Sequence, residues 1–167
     1  SMDVVIVDDQ PSVRTLLRQV VQDIGPQIEA HEFGEPTAAL DWCLNNRPDL
    51  LLLDYRMPGM DGLELAKAFR RSPANRDVPI VLVTVVGDEP VRQAALDAGV
   101  MDFILKPIRM REIRSRCQNL LQLRQHNESV KQRALSLEQR LLASIHEVEE
   151  RERETLSRLA RAIEFRD

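Results

Sequence analysis

Five short apolar runs are the feature that most limits what this chain can become. They are VVIV at 4–7, a weaker run at Ile28–Phe33, LLLL at 50–53, IVLV at 80–83 and Met101–Leu105. Each is rich in β-branched residues or leucine and is bounded by Asp, Pro or Gly. Strands buried on both faces read this way, because no side of them needs to be polar. Between the runs lie stretches with helical spacing. Val13, Leu16, Leu17, Val20, Val21 and Ile24 form one face of a helix, and similar patterns run through Ala38–Leu44, Leu63–Phe69 and Val91–Ala98. Gly25 and Gly99 stand where helices would stop. Five strands alternating with helices predict an α/β fold with a parallel sheet, right-handed crossovers and helices on both faces. Ser1 and Met2 read as a cloning remnant outside that fold.

In such a sheet, ligands bind beyond the carboxyl ends of the strands, where strand order reverses. The residues following each run are therefore the ones to read for chemistry. Asp8 and Asp9 follow the first run, Asp54 the third, Thr84 the fourth and Lys106 the fifth. If the first and third strands are neighbours, three carboxylates converge. One pair of like charges at ~4 Å costs ~4 kcal/mol at an effective dielectric of ~20, so a counter-charge is required. An all-oxygen donor set suits Mg²⁺, which needs one or two protein carboxylates plus water and a phosphate oxygen. A metal, a hydroxyl and an ammonium around one central carboxylate are the parts phosphoryl transfer uses, with Asp54 as nucleophile and an acyl phosphate as product.

Several function classes fall away. Of 167 residues, 43% are hydrophobic, enough for a core, and the net charge of −4 argues against a broad nucleic-acid surface. No apolar run approaches the ~20 residues of a membrane helix, and no signal peptide is evident. Cys43 and Cys117 are far apart and lie among apolar neighbours, which makes them small core residues and fits a reducing cytoplasm. His31 and His126 lack a partner at metal-ligand spacing, and Trp42 lies on an apolar helix face. His146 followed by Glu147 and Val148 is a poor match to a phosphorylated kinase histidine, since Glu149 and Glu150 come next.

From about Arg109 the pattern changes: past Pro107 there is neither Pro nor Gly, and charge is dense. Apolar residues recur at Ile113, Cys117 and Leu120. From Leu120 a seam steps by three and four through Leu123, Asn127, Val130, Ala134, Leu137 and Leu141. That is a heptad pattern, with Asn127 fixing register at a cost in stability. A helix of ~40 residues is ~60 Å long, so the seam calls for a partner helix, most simply a second copy of the chain. After Leu141 the seam slips to Ile145 and Val148. EERERE (149–154) then interrupts it as a solvated face, and Leu156, Leu159 and Ile163 open a new stripe.

The segments VVIVDDQ (4–10), LLLDYRMPGMDG (51–62), VTVV (83–86) and FILKP (103–107) together resemble the response-regulator receiver family over about residues 3–120. The resemblance implies a flavodoxin-like five-stranded sheet of order 2-1-3-4-5. It implies that Asp54 accepts a phosphoryl group from a sensor histidine kinase. Asp9, Asp54 and the backbone carbonyl of Arg56 would hold Mg²⁺, and Asp8 would act through water. Thr84 and Lys106 would bind the phosphoryl group, Thr84 and Phe103 would form the switch, and Pro107 would follow a cis peptide bond. Arg56 and Val86 flank the site where the family varies; a bulky and an apolar side chain there should hinder attacking water and lengthen the phosphoryl lifetime. The tail RERETLSRLARAIEFRD (151–167) resembles the helix that opens HD-GYP cyclic di-GMP phosphodiesterase domains. The His-Asp dyad and GYP motif of those domains are absent from this sequence, so no such hydrolysis is assigned to this chain.

The expected organisation is a receiver domain at 3–122, a coiled-coil stalk at 123–150 and the start of a truncated output domain at 151–167. The expected partners are a sensor histidine kinase and a second copy of the chain through the C-terminal helix, with no nucleic acid and no membrane. Other readings are the receiver module of a hybrid histidine kinase, a phosphorylation-independent adaptor and a metal-dependent phosphohydrolase. An aspartyl-phosphatase usually carries a second Asp two residues after its nucleophile, and Arg56 occupies that place.

Overall fold

The structure is a computed structural model that describes residues 1–164. It separates into two compact units, Ser1–Gln125 and a second that begins at His126. In the first unit the strands are β1 (Met2–Val7), β2 (Ile28–Phe33), β3 (Leu50–Leu53), β4 (Ile80–Thr84) and β5 (Asp102–Leu105). The helices are α1 (Pro11–Gln22), α2 (Pro36–Asn45), α3 (Gly62–Arg70), α4 (Glu89–Asp97) and α5 (Met110–Glu164), whose residues up to Gln125 belong to this unit. The sheet is wholly parallel with order β2-β1-β3-β4-β5. This is the order the receiver resemblance implied.

Strand alternation sorts the core into two layers. Val5 and Val7 of β1 face Ala39 and Cys43 of α2, Leu65, Ala66 and Phe69 of α3, and Ala95 of α4. Val4 and Ile6 face the other way, onto Leu17, Val20 and Val21 of α1 and Ile113, Cys117 and Leu121 of α5. The four leucines of β3 are at most 1% exposed. Each contributes roughly 1.5–3 kcal/mol by leaving water, and this is why the run tolerates no polar residue. Both cysteines are free and buried, as their apolar neighbours predicted; burial pushes each thiol up to about 12.

The helix starts are written locally. Proline occupies the first turn of α1, α2 and α4, where its missing N–H has no partner to lose. Asp61 and Asp88 cap α3 and α4 by accepting from the N–H groups of Glu64 and Val91 at 2.8 and 3.1 Å. Gly99, after α4, has φ +89°. Two local expectations need correction. Met2 is the first residue of β1, paired with Ile28, so it belongs to the fold. Gly25 has no positive φ, and α1 ends earlier, at Asp23, whose N–H donates to the Gln19 carbonyl at 3.0 Å.

In the first unit, α5 presents Ile113, Cys117, Leu121 and Arg124 as buried residues, with Leu120 packed beside them. The first position of the heptad seam is thus used by the receiver core. The Arg124 charge is offset by Asp49, the residue before β3, whose carboxylate lies 3.4 Å from its Nε. In the second unit every residue of α5 from Val130 to Glu164 is exposed. Val130, Leu137, Leu141, Ile145 and Val148 are among them, each at least 45% exposed. EERERE carries Arg151–Glu147 and Arg153–Glu150 ion pairs at 3.1 and 2.6 Å along the helix surface. Of the tail motif at 151–167, the last three residues lie outside the described residues.

Candidate functional site

The site is built by register. β1 pairs with β3 so that Val7 lies opposite Leu53, and the residues after both strands emerge together. The Asp54 N–H donates to the Val7 carbonyl at 2.9 Å, extending the ladder one step into the site. Asp8, Asp9 and Asp54 each bring a carboxylate oxygen within 4.8 Å of the others. Asp8 is 1% exposed and Asp54 is 9%, while Asp9 is open to solvent. The notch therefore has a buried floor and one wet wall.

Lys106 supplies the counter-charge. Its Nζ lies 3.0 Å from Asp8 Oδ2 and 3.5 Å from Asp54 Oδ2. The Lys106 N–H donates to the Thr84 carbonyl at 2.8 Å, so β4 sets where the lysine starts, and the Lys106–Pro107 peptide bond is cis. Thr84 is 1% exposed, and its Oγ1 accepts from the Val86 N–H at 3.3 Å. Asp54 Oδ1 accepts from the Tyr55 N–H at 2.8 Å. Burial raises the Asp54 carboxyl above its ordinary range and the Asp8 charge raises it further, while Lys106 and the Tyr55 N–H pull it down. Raising wins, so this carboxylate is held in an environment that favours acquiring a neutral or charge-compensated state.

Three supporting elements had no signal in the sequence. The Arg14 guanidinium donates to the Asp8 carbonyl at 2.7 Å and is itself drawn toward Glu32 at 3.8 Å. The Gln10 N–H donates to Asp8 Oδ1 at 2.9 Å. With Lys106 on Oδ2, both oxygens of Asp8 are already engaged. Gly62, at the start of α3, leaves no room for a side chain: a Cβ there would sit 2.1 Å from the Asp54 carbonyl oxygen. These are contacts across loops, and local periodicity does not encode them.

Arg56 is exposed and Val86 half-buried at the rim. Phe103, on β5, is half-buried against the core layer of α2–α4, and the Arg92 guanidinium of α4 lies 4.8 Å from its ring centre. Beside it, α4, β5 and the first turns of α5 enclose an open cleft of about 790 Å³ that Arg92, Phe103, Leu105 and Arg116 help to line.

A five-stranded parallel sheet of this order, with an acidic notch and a lysine at its carboxyl edge, defines a receiver-type signalling fold. Residues 4–118 match the response regulator receiver domain family, and the chain belongs to that family. It is 70% identical over 166 residues to the cyclic di-GMP phosphodiesterase response regulator RpfG of Xanthomonas campestris pv. campestris, covering 99% of this chain and 44% of that protein. It is 37% identical over 118 residues to the response regulator MprA of Mycobacterium sp. strain KMS, covering 71% of this chain and 50% of that one. The chain thus spans about half the length of these relatives or less. Among solved structures, the chemotaxis protein CheY4 of Vibrio cholerae aligns with TM-score 0.67 at 26% identity, over 71% of this chain and 98% of that one. The signal receiver domain of a histidine kinase from Syntrophus aciditrophicus aligns with TM-score 0.66 at 28% identity, over 73% and 91%. Among the described residues, no helix is long and apolar enough to cross a membrane.

Proposed function

We propose that Asp54 is the phosphoryl acceptor of this receiver and that a sensor histidine kinase is the donor. The single observation that carries the proposal is the lysine ammonium within 3.0–3.5 Å of both Asp8 and Asp54 in one notch. The Asp54 carboxylate attacks the donor phosphorus in line; a P–O bond to Asp54 forms as the P–N bond to the kinase imidazole breaks, and the imidazole leaves with the electron pair. Lys106 is placed to offset charge on the transferred oxygens, and the Thr84 hydroxyl to donate to one of them.

The donor set fits Mg²⁺: three carboxylate oxygens cluster with no nitrogen or sulfur ligand among them, and Asp9 opens to water. Asp9, Asp54 and the Arg56 carbonyl are the groups that would hold it. Asp8, whose oxygens are engaged by Lys106 and Gln10, is left to act through water. When bound, the ion neutralises phosphoryl oxygens. Thr84 drawn toward the phosphoryl group vacates space into which Phe103 turns, altering the α4–β5–α5 face. The stalk residues Leu123, Asn127, Val130, Ala134, Leu137 and Leu141 pair with a second copy, and the signal passes to an output domain. The 70% identity to RpfG extends over essentially the whole chain and supports a cyclic di-GMP phosphodiesterase output in the parent protein. Residues 3–122 then serve as receiver, 123–150 as stalk and 151–167 as the start of the output domain, in the cytoplasm.

The test is incubation with acetyl phosphate and Mg²⁺, followed by intact mass. One added phosphoryl group, absent from Asp54→Asn, is expected. Label retained in Asp54→Asn, or none on the parent chain, removes the proposal. Sedimentation with and without beryllofluoride tests the dimer separately.

A further inference from the structure

The other end of β1 carries a second constellation. Asp3 lies directly opposite Glu29 in the β1–β2 ladder, and His31 is two residues further along β2. Alternate residues of a strand share a face, so the three side chains stand on one face at the sheet's edge. Their donor atoms lie within 4.8 Å of one another. Asp3 is four residues before Val7, which puts this cluster roughly 15 Å along the strand from the Asp54 notch. Sequence spacing had left His31 without a ligand partner. The partner Asp3 comes from the neighbouring strand, where only the register reveals it.

The geometry is held from behind. The His31 ring packs on Trp42 of α2, with centroids 4.3 Å apart and planes at 33°. The Asp3 N–H donates to Asp49 Oδ2 at 2.8 Å, and the Asp49 N–H returns to the Asp3 carbonyl at 2.7 Å. His31 Nε2 points at Asp3 Oδ1, 2.8 Å away. Glu29 is exposed and enters no ion pair or side-chain hydrogen bond among the described residues. With a neutral imidazole the cluster carries two negative charges. One nitrogen and two carboxylate oxygens converge on a half-open face. That is too soft a set for Mg²⁺ but suits Zn²⁺, which takes three protein ligands and leaves a fourth position to water.

We propose that Asp3, Glu29 and His31 form a zinc-binding site at the edge of the sheet, distinct from the acidic notch. Zinc takes the place of the proton between His31 Nε2 and Asp3, the remaining imidazole proton resides on Nδ1, and Glu29 closes the third position. Bound metal clips the edge strand β2 to β1, and by mass action raises the unfolding temperature.

The sole tryptophan of the chain, Trp42, stacks on the ligating ring and provides a built-in probe. The experiment uses the full chain carrying Asp9→Asn, which weakens the notch, after removal of metal with a chelator. Cobalt(II) is titrated while Trp42 fluorescence is followed, and zinc is titrated by calorimetry. One saturable equivalent, quenching by cobalt and reversal by zinc are expected. Glu29→Gln and His31→Gln should each weaken zinc binding at least tenfold. Glu29 is exposed, so its replacement does not endanger folding. No saturable binding, or binding undiminished in both variants (placing the metal at His126, His146 or the notch), overturns the proposal.

Discussion

Replacing Lys106 with methionine tests the electrostatics of the notch. The ammonium sits 3.0 Å from Asp8 and 3.5 Å from Asp54. At an effective dielectric of about 20, each contact is worth about 5 kcal/mol of gross attraction. Two effects reduce the net loss. The ammonium's own desolvation penalty disappears with it, and Asp54, already raised by burial and by Asp8, escapes by taking a proton. Stranding one side of a buried pair costs about 3–5 kcal/mol; with one wall of the notch wet, about 2–3 kcal/mol at pH 7 is expected without Mg²⁺. The sign with pH follows from the raised carboxyl. The folded state holds the Asp54 proton more tightly than the unfolded chain does. Its contribution to stability is therefore full below the unfolded value of 3.8 and is lost as pH rises through the folded one. Asp54→Asn should accordingly stabilise the metal-free protein at pH 7 and do little near pH 3, and it should rescue part of the Lys106→Met loss, the share owed to Asp8 remaining. The assay is urea unfolding of the two single variants, the double variant and the parent, with a chelator present, from pH 3 to pH 7. An Lys106→Met penalty that is constant with pH and unmoved by Asp54→Asn would mean that the lysine acts through packing, and the charge argument would fail.

Gly62→Ala should cost at least about 2 kcal/mol, because the new Cβ meets the Asp54 carbonyl oxygen at 2.1 Å and the α3 start must move; denaturant midpoints and acetyl phosphate labelling should fall together. Asp49→Ala should destabilise by about 1–3 kcal/mol, since it removes the carboxylate 3.4 Å from buried Arg124 and the acceptor of the Asp3 N–H. A double-mutant cycle with Arg124→Met measures the shared part. The parent chain should gain unfolding temperature on addition of Mg²⁺, and Asp9→Asn should gain markedly less. Opening the rim with Arg56→Asn and Val86→Ala should shorten the phosphoryl half-life several-fold, read by loss of added mass after donor removal. An unchanged half-life would show that neither side chain screens the attacking water.

The strands and the notch were legible for a common reason. A strand buried on both faces must be a short, unbroken apolar run, and in a parallel sheet every such run ends on one edge. The residues following Val7, Leu53, Val83 and Leu105 therefore meet without any knowledge of the loops. What lay outside the sequence pattern came from contacts that cross it. Arg14 reaches the Asp8 carbonyl from α1, and its partner Glu32 lies 18 residues away in β2. His31 finds Asp3 only because β2 lies in register beside β1. The value of Met2 to the sheet was hidden because a terminal residue is paired or frayed according to its neighbour strand.

The last helix shows why periodicity alone could not apportion its contacts. A stripe facing the receiver runs through Ile113, Cys117, Leu120, Leu121 and Arg124, and a heptad seam runs on from Leu123. Near residues 120–124 both patterns call on adjacent positions of one helix. A spacing of three and four marks an apolar face without saying what covers it. The receiver core takes Leu120 and Leu121, where sheet and α1 side chains are available. It even takes Arg124, because Asp49 compensates its charge. Beyond Gln125, Val130, Leu137 and Leu141 are left in water. An arginine inside a core-facing stripe looks like the end of that stripe in sequence. Here it extends the stripe by a turn, while Leu123, one position earlier on the neighbouring face of the helix, stays 46% exposed.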